Sequence, residues 1–513
     1  MSLQPVTLED KYTQAHGRVL ASATQALTRL LMEQRVRDQA AGLNTAGYVS
    51  GYRGSPLGTL DKALWSAGDH LKAHHVLFRP GVNEDLAATA IWGTQQLTVF
   101  EGARYDGVYA MWYGKGPGVE RSGDALHHAN LAGTSPHGGV LMAVGDDPVC
   151  HSSTVPQQSE FALMAAGIPV LAAGTVQEVY DYGLAGIALS RFAGVWVALK
   201  LVTDIAESTA VIDLDSPGSR IVVPADFVMP PDGVHLRVPD WPTFQEERLM
   251  RYRLPALQAA VRASGLDRVT LASPQPRLGI VAFGKAYEDL RQAMLDLGLD
   301  EGQAAQLGIT LYKPALIWPL EPEGLRGFAD GLEQLLIVEE GRPILESQIK
   351  DLLFALPDGR RPRVHGKRTA DGELQFADHG ELTPRLIARA LAARVGALAP
   401  QAGLDARLAL LEGQRERSTG YQAKFQRTPY FCSGCPHNTS TRVPDGSVAL
   451  AGIGCHFLAQ RMERNTKTWT HMGAEGVSWV GMSPFTDLKH VFVNQNVKQL
   501  KKILRTQRNP VMY

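Results

Sequence analysis

Short runs of consecutive apolar residues alternate along the chain with longer stretches whose apolar residues recur at helical spacing. Residues 9–44 predict a helix, with Ala21, Leu27, Leu30 and Leu31 on one face, followed by an approach to a strand. Helices are also predicted over 60–73, 83–101, 119–131 and 177–190, and strands over 75–78, 105–113, 139–144, 168–171 and 195–201. The strands are apolar on both faces, and several run into glycine-rich loops. That combination predicts an α/β domain built on a mostly parallel sheet. Ligands of such sheets collect at the carboxyl ends of the strands.

The proline-rich stretch 213–241 alternates poorly and reads as a linker. Residues 244–265 are helical in pattern. A second α/β unit follows, with strands over 278–283, 308–312 and 334–339 and helices over 287–297, 322–328 and 344–353. Residues 358–378 read as an exposed loop, and 382–399 and 404–415 as a helical connector. A third region opens at Phe431 with short strands over 448–453 and 491–493. The predicted organisation is a first domain at 1–215, linker and helix at 216–275, a second domain at 276–356, a connector at 357–430, the start of a third domain at 431–494, and an atypical tail at 495–513. From Lys489 to the end there are six Lys or Arg and no acid.

Composition narrows the function classes. With 513 residues, several domains are expected. The 51 basic and 52 acidic residues give a net charge of −1, so no overall field draws the chain to nucleic acid or anionic lipid. No apolar run is long enough to span a bilayer, and the first residues lack a signal core, which predicts a cytoplasmic protein. Cys150, Cys432, Cys435 and Cys455 are too few for a disulfide framework.

Candidate chemistry lies in the loops. Glu84 begins a predicted helix, where an acid suits the helix dipole, yet a partly buried carboxylate there could also share a proton with a ligand nitrogen. YRGSPLG after a strand offers Arg53 and Ser55 to a carboxylate. GKGPGVERSGD, with Gly116 and Gly118, lets a ligand approach the backbone but has neither the dinucleotide nor the Walker spacing. His127, His128, His137 and His151 fit surface roles. The CxxC of Cys432 and Cys435, followed by Cys455, supplies three thiolates toward a zinc or [4Fe–4S] site that needs four ligands. His437 and His456 lie beside it. A redox dithiol and three reduced structural cysteines are the alternative readings of this pattern.

The motifs GYRGSPLGTLD, FRPGVNEDLAATAIWG, YGKGPGVERSGDALHHAN, GDDP, LLIVEE, FCSGCPHNTS, GIGCH and MGAEGVSW, in that order, resemble the long form of indolepyruvate ferredoxin oxidoreductase, of the 2-oxoacid:ferredoxin oxidoreductases. The resemblance implies a thiamine diphosphate pyrimidine-binding domain, a transketolase C-terminal-like domain and a truncated diphosphate-binding domain. It implies that Glu84 is catalytic, meeting N1′ of the aminopyrimidine, with Gly116, Gly118, His437, Gly454, Gly473 and Glu475 around the cofactor. Arg53 and Ser55 would hold substrate, and Cys432, Cys435 and Cys455 a [4Fe–4S] cluster. The implied reaction is oxidative decarboxylation of an aryl 2-oxo acid to an acyl-coenzyme A, with electrons passed to iron–sulfur clusters and ferredoxin. The expected Mg²⁺ motif GDG occurs nowhere in the chain, and the segment ending at Asn494 continues as QNVKQLKK. The expectation is therefore a homodimeric fragment, inactive alone, that needs a second chain for the remaining diphosphate-binding, γ-like and cluster parts. A catalytically inactive thiamine-fold assembly subunit is the alternative, and a zinc-structured nucleic-acid protein is the weakest reading.

Overall fold

The computed structural model describes residues 6–398, 402–419 and 427–494, and the chain divides into two units, residues 1–414 and 415–513. The basic tail at 495–513 lies outside the described residues, as does part of the connector.

In the first unit the apolar runs become strands β1 Arg18–Ser22, β2 Thr45–Gly51, β3 Val76–Phe78, β4 Gly107–Lys115, β5 Val140–Asp146, β6 Val170–Ala172, β7 Trp196–Val202 and β8 Thr209–Asp213. They continue as β9 Arg268–Leu271, β10 Leu278–Ala282, β11 Ile309–Lys313, β12 Leu316–Trp318, β13 Gln334–Val338 and β14 Arg363–His365. One sheet has the order β12-β6-β7-β5-β4-β2-β3 and another the order β14-β13-β10-β11-β9, while β1 and β8 form an antiparallel ribbon. All pairs from β3 to β6 in the first sheet are parallel. Helices cover both faces, so alternate residues of one strand enter different cores. Tyr109, Met111 and Tyr113 pack on one side with Leu27 and Leu30, whereas Ala110 and Trp112 pack on the other with Val140 and Met142.

The two sheets are not independent. The strand β12 leaves the second sheet's part of the chain and pairs antiparallel with β6, closing the edge of the first sheet. Asp267 holds its start, accepting hydrogen bonds from the N–H groups of Ala315 at 2.7 Å and Leu316 at 3.0 Å. Ile317, Leu335 and Ile337 share a core with Trp112. The buried Lys313 bridges Glu178 at 2.7 Å and Glu288 at 3.0 Å across the same junction. At Gly174 a Cβ would lie 2.6 Å from the Gly284 carbonyl oxygen, so the two backbones meet only because no side chain stands there.

Several expected elements are redrawn. Residues 9–44 contain the helix Asp10–Thr13, then β1, then the helix Ala23–Ala40, so Ala21 belongs to a strand. Ser22 ends β1 and caps the helix through a capping box with Gln25. The helix expected over 60–73 is two, Leu60–Ser66 and Gly68–Ala73. The expected turn KGPGVE is the end of β4 plus the first turn of the helix Gly116–Arg121, because Pro117 suits an opening helical position. The expected exposed loop at 358–378 carries β14, with His365 and Phe376 buried at 1% exposure each. Strands β9, β12 and β14 were too short to give a periodic signal. The second unit holds a parallel sheet of β15 Ala449–Ala451, β16 Thr466–Trp469 and β17 Phe492–Asn494, ordered β16-β15-β17. Of these, β16 has no counterpart among the predicted strands.

The role of Asp267 makes a stability prediction. Burial pushes its carboxyl up to about 7, with the bonds from Leu316 and Ala315 opposing. The folded value exceeds the unfolded one of 3.8, so the stability the group contributes is complete below that value and is lost as pH rises through about 7. Asp267→Asn keeps an acceptor for both N–H groups and removes the charge. Thermal unfolding should give matching midpoints for the two proteins at about pH 4 and a higher midpoint for the variant at about pH 8. A lower midpoint for the variant at the higher pH would contradict this account.

Candidate functional site

The chain enters the first sheet at β2, places β3 on one side and β4 on the other, and so creates a crevice at the carboxyl ends of β2 and β4. The loops after β2, β3, β4 and β5 meet there. Tyr52 donates its N–H to the Tyr113 carbonyl at 3.1 Å, and Gly81 donates to the Gly51 carbonyl at 2.8 Å. A Cβ on Gly51 would lie 2.1 Å from the Tyr113 oxygen, so only glycine fits at this crossing.

Glu84 opens the helix Glu84–Gln95 after the loop that follows β3. Asn83 caps this helix, its side-chain oxygen accepting the Leu86 N–H at 3.0 Å. Trp112 of β4 donates its indole N–H to the Glu84 carbonyl at 3.1 Å, which fixes the helix start against the sheet. Glu84 is 4% exposed, so it is not the solvated first-turn acid that helix statistics alone would suggest. Its carboxylate packs on Gly118, where a Cβ would come within 2.7 Å of Glu84 Cγ and 3.0 Å of Oε1. No hydrogen bond reaches that carboxylate among the described residues, although Lys115 interacts with it through charge. Burial pushes the Lys115 ammonium below its ordinary value, and Glu84 opposes that shift.

The other predicted residues fall around this centre. The side chain of Lys115 passes Gly54, where a Cβ would lie 2.9 Å from Lys115 Cδ, so the YRGSPLG turn borders the same place. Arg53 is exposed, and Ser55 donates its hydroxyl to Ser152 at 2.8 Å. Asp147 shapes the loop after β5 by accepting the N–H groups of His151 at 2.9 Å and Ser152 at 2.7 Å. Gly116 lies against Gln157 and Asp146. Behind it Lys200 pairs with Glu160 and lies 3.7 Å from Asp146, all three buried. Burial raises the Asp146 carboxyl although Lys200 counteracts it. Lys115, Asp146, Glu160 and Lys200 were not picked out from sequence. Lys115 had a visible signal, a lone lysine closing an apolar strand, but the partners of Lys200 lie far away in the chain. His127, His128, His137 and His151 are exposed.

The second unit gathers its own loops at strand ends. Cys432 and Cys435 lie on one turn, with the Cys435 N–H donating to the Cys432 carbonyl at 3.0 Å. Gly454, at φ +138°, precedes Cys455. The rings of His437 and His456 lie 5.5 Å apart, which brings the two cysteine loops side by side. His437 Nδ1 and His456 Nε2 are buried without hydrogen bonds among the described residues. Burial, then His437, pushes His456 down to about 4. Gly473 donates its N–H to Glu475 Oε2 at 3.0 Å, and a Cβ on Gly452 would meet Glu475 Cγ at 2.3 Å. Among the described residues no three His, Cys, Asp or Glu side chains converge to hold a metal ion. Among the described residues Cys432, Cys435 and Cys455 form no disulfide.

Comparison with known proteins gives consistent relatives. Residues 268–418 match the family model described as indolepyruvate oxidoreductase domain. The chain is 24% identical over 432 residues to indolepyruvate oxidoreductase subunit IorA of Methanothermobacter marburgensis, covering 82% of this chain and 62% of that one. It is 25% identical over 455 residues to the subunit of the same name from Pyrococcus abyssi, covering 86% and 62%. The chain thus spans less than two thirds of the length of these relatives. A solved 2-oxoglutarate:ferredoxin oxidoreductase from Magnetococcus marinus superposes with a TM-score of 0.53 at 15% identity, over 74% of this chain and 66% of that one, a likeness of fold.

The packing of Glu84 on Gly118 can be tested without any ligand. Gly118→Ala inserts a methyl into the space of the Glu84 side chain and should destabilise the chain by about 1–3 kcal/mol. Glu84→Ala should recover most of that loss when combined with it, as a double-mutant cycle in urea would read. Additive effects would show that the two residues do not touch.

Proposed function

We propose, from the premise that the chain belongs to the indolepyruvate oxidoreductase family, that it supplies the pyrimidine-binding half of a thiamine diphosphate site acting on an aryl 2-oxo acid such as indolepyruvate. The observation that carries this reading is the Glu84 carboxylate, buried at the switch point of the sheet and free of hydrogen bonds among the described residues. A buried carboxylate is costly unless something satisfies it. An aminopyrimidine nitrogen that shares its proton fits that need. Thiamine diphosphate, when bound, supplies the reactive carbon and the electron sink for loss of carbon dioxide.

The chain's own residues then have defined tasks. Glu84 holds a proton at N1′ of the pyrimidine. Gly118 keeps its neighbour clear, because any Cβ there would fill the carboxylate's space. Gly116 brings the same loop against Asp146 and Gln157. Lys115 and Glu84 attract each other through charge without forming an ion pair among the described residues. Arg53, exposed in the turn whose Gly54 lies against Lys115, meets the substrate carboxylate, with Ser55 as its companion.

The remaining cofactor expectations belong to this proposal too. Gly454 follows β15 and Gly473 and Glu475 follow β16, while His437 begins the helix His437–Ser440 ahead of the sheet; a diphosphate and Mg²⁺ there would need oxygen ligands. Cys432, Cys435 and Cys455 are the thiolates this reading offers to a [4Fe–4S] cluster, although among the described residues they do not gather into a group that could hold a metal. The relatives are named as subunits, which supports a partner polypeptide. A homodimer, ferredoxin as electron acceptor and coenzyme A as acyl acceptor complete the reading. No helix is long and apolar enough to cross a membrane among the described residues, and the proposed location is the cytoplasm.

In the complete assembly, Glu84→Gln should lower indolepyruvate-dependent ferredoxin reduction by about 10²–10⁴-fold. Arg53→Gln should mainly raise KM. Steady-state kinetics read both effects, and an unchanged kcat in the Glu84 variant would remove the basis of the reading.

A further inference from the structure

The motif GDDP straddles the end of β5 and places two adjacent acids, Asp146 and Asp147, out of solvent. Together they hold both ends of the loop that follows. Asp146 takes the returning end, accepting the N–H of Ser159 at 2.8 Å and the Ser159 hydroxyl. Asp147 takes the near end, accepting the N–H groups of His151 at 2.9 Å and Ser152 at 2.7 Å. The turn between them is tight. Cys150 adopts φ +59°, a left-handed backbone that a side chain enters only at a cost, and its N–H reaches the Asp147 carbonyl at 3.3 Å. Pro148 and Pro156 line a cavity of about 410 Å³ between the strand ends of the two sheets, so the loop rests there on open space and not on packed core. Hydrogen bonds must hold it.

Asp147 is fully buried and has no cation among its partners in the described residues, an arrangement that costs free energy. Burial works to raise its carboxyl, but the N–H bonds from Ser152 and His151 outweigh burial and leave it below its ordinary value. The charge holds the one loop that reaches across to the YRGSPLG turn through Ser152. Ser55 donates its hydroxyl to Ser152 Oγ at 2.8 Å, and Ser152 in turn donates to Asp147 Oδ2 at 3.3 Å. Arg53 is exposed, so the turn, and not packing of its own side chain, sets where the guanidinium stands.

The direction of this hydroxyl chain matters, because an ionised carboxylate only accepts hydrogen bonds. The bond from Ser152 to Asp147 is long for two oxygens and therefore weak. We propose that Asp147 and Ser152 are positioning residues for the substrate: Asp147 fixes the backbone at His151 and Ser152, and Ser152 sets Ser55 and the turn that carries Arg53. When a carboxylate reaches Ser55, the Ser55 hydrogen turns to it and the Ser152 hydrogen turns to Ser55, while Asp147 keeps both backbone bonds. The oxygens need not move. This inference rests on the reading of Arg53 and Ser55 as residues that meet the substrate carboxylate.

Steady-state kinetics of the complete assembly with indolepyruvate read the effect on substrate, and hydrogen exchange of the full chain reads the anchoring with no substrate present. Ser152→Ala should raise KM about five- to tenfold, the loss expected for one hydrogen bond, and leave kcat within about twofold. Ser152→Thr, which keeps the hydroxyl, should restore KM. Adding Ser152→Ala to Ser55→Ala should raise KM no further, since Ser152 acts only through Ser55. Asp147→Asn should speed exchange of the His151 and Ser152 amides by about tenfold or more, whereas Ser152→Ala should leave both protected. Unchanged exchange in Asp147→Asn, or additive effects of Ser55→Ala and Ser152→Ala, would overturn the proposal. So would an unchanged KM in Ser152→Ala while Arg53→Gln raises it. An unchanged KM in both Ser152→Ala and Arg53→Gln would instead overturn the substrate role of the turn, and this inference with it.

Discussion

Parallel pairing of β2, β4 and β5 is the constraint on which the rest of the first unit depends. Parallel strands must leave the sheet at the same edge, so the loops that follow them are forced into one neighbourhood. The order of strands then opens a crevice between β2 and β4. Everything notable about Glu84 follows from that placement. A helix must begin beside the crevice, and its first residue is carried under the loop after β4. Glycines at 51, 54 and 118 let the backbones and the Lys115 and Glu84 side chains approach as they do. The site is made by removal of side chains as much as by their addition.

A second constraint ties the two sheets of the first unit together. A free edge at β6 would expose unpaired N–H and C=O groups. Strand β12 covers that edge, and Asp267 holds it there. The junction is rich in buried charge, with Lys313 between Glu178 and Glu288 and Lys200 beside Glu160 and Asp146. Such groups cost desolvation and are tolerated only when each finds its partner. Their geometry therefore fixes how the sheets face each other, and with it the cavity between their strand ends.

Much of this was legible in the sequence, for physical reasons. Strands β4, β5 and β7 are buried on both faces, so their apolar runs are unbroken and easy to read. The loop motifs stood out because glycine, proline and charge cluster where strands end. Strands β9, β12 and β14 were not legible. Each is three or four residues long, and each owes its existence to an edge supplied by distant chain. The break between the helices Leu60–Ser66 and Gly68–Ala73 was also hidden, since the apolar spacing runs on through Ala67. At the site, sequence supplied Glu84, Arg53, Ser55 and the two loop glycines but could not tell a buried carboxylate from a solvated one. The Lys200 network was invisible because its members are up to 54 positions apart, Asp146 to Lys200. The three clustered cysteines were legible as a motif.

The central claim is that the Glu84 carboxylate meets the pyrimidine ring of thiamine diphosphate in the crevice between β2 and β4. Its most direct test is a density map of the complete assembly with thiamine diphosphate bound. The account predicts a Glu84 carboxylate oxygen about 2.6–3.2 Å from N1′ of the ring, with Gly118 alongside. A pyrimidine ring seated elsewhere, with Glu84 still buried against Gly118 and touching no ligand, would contradict it.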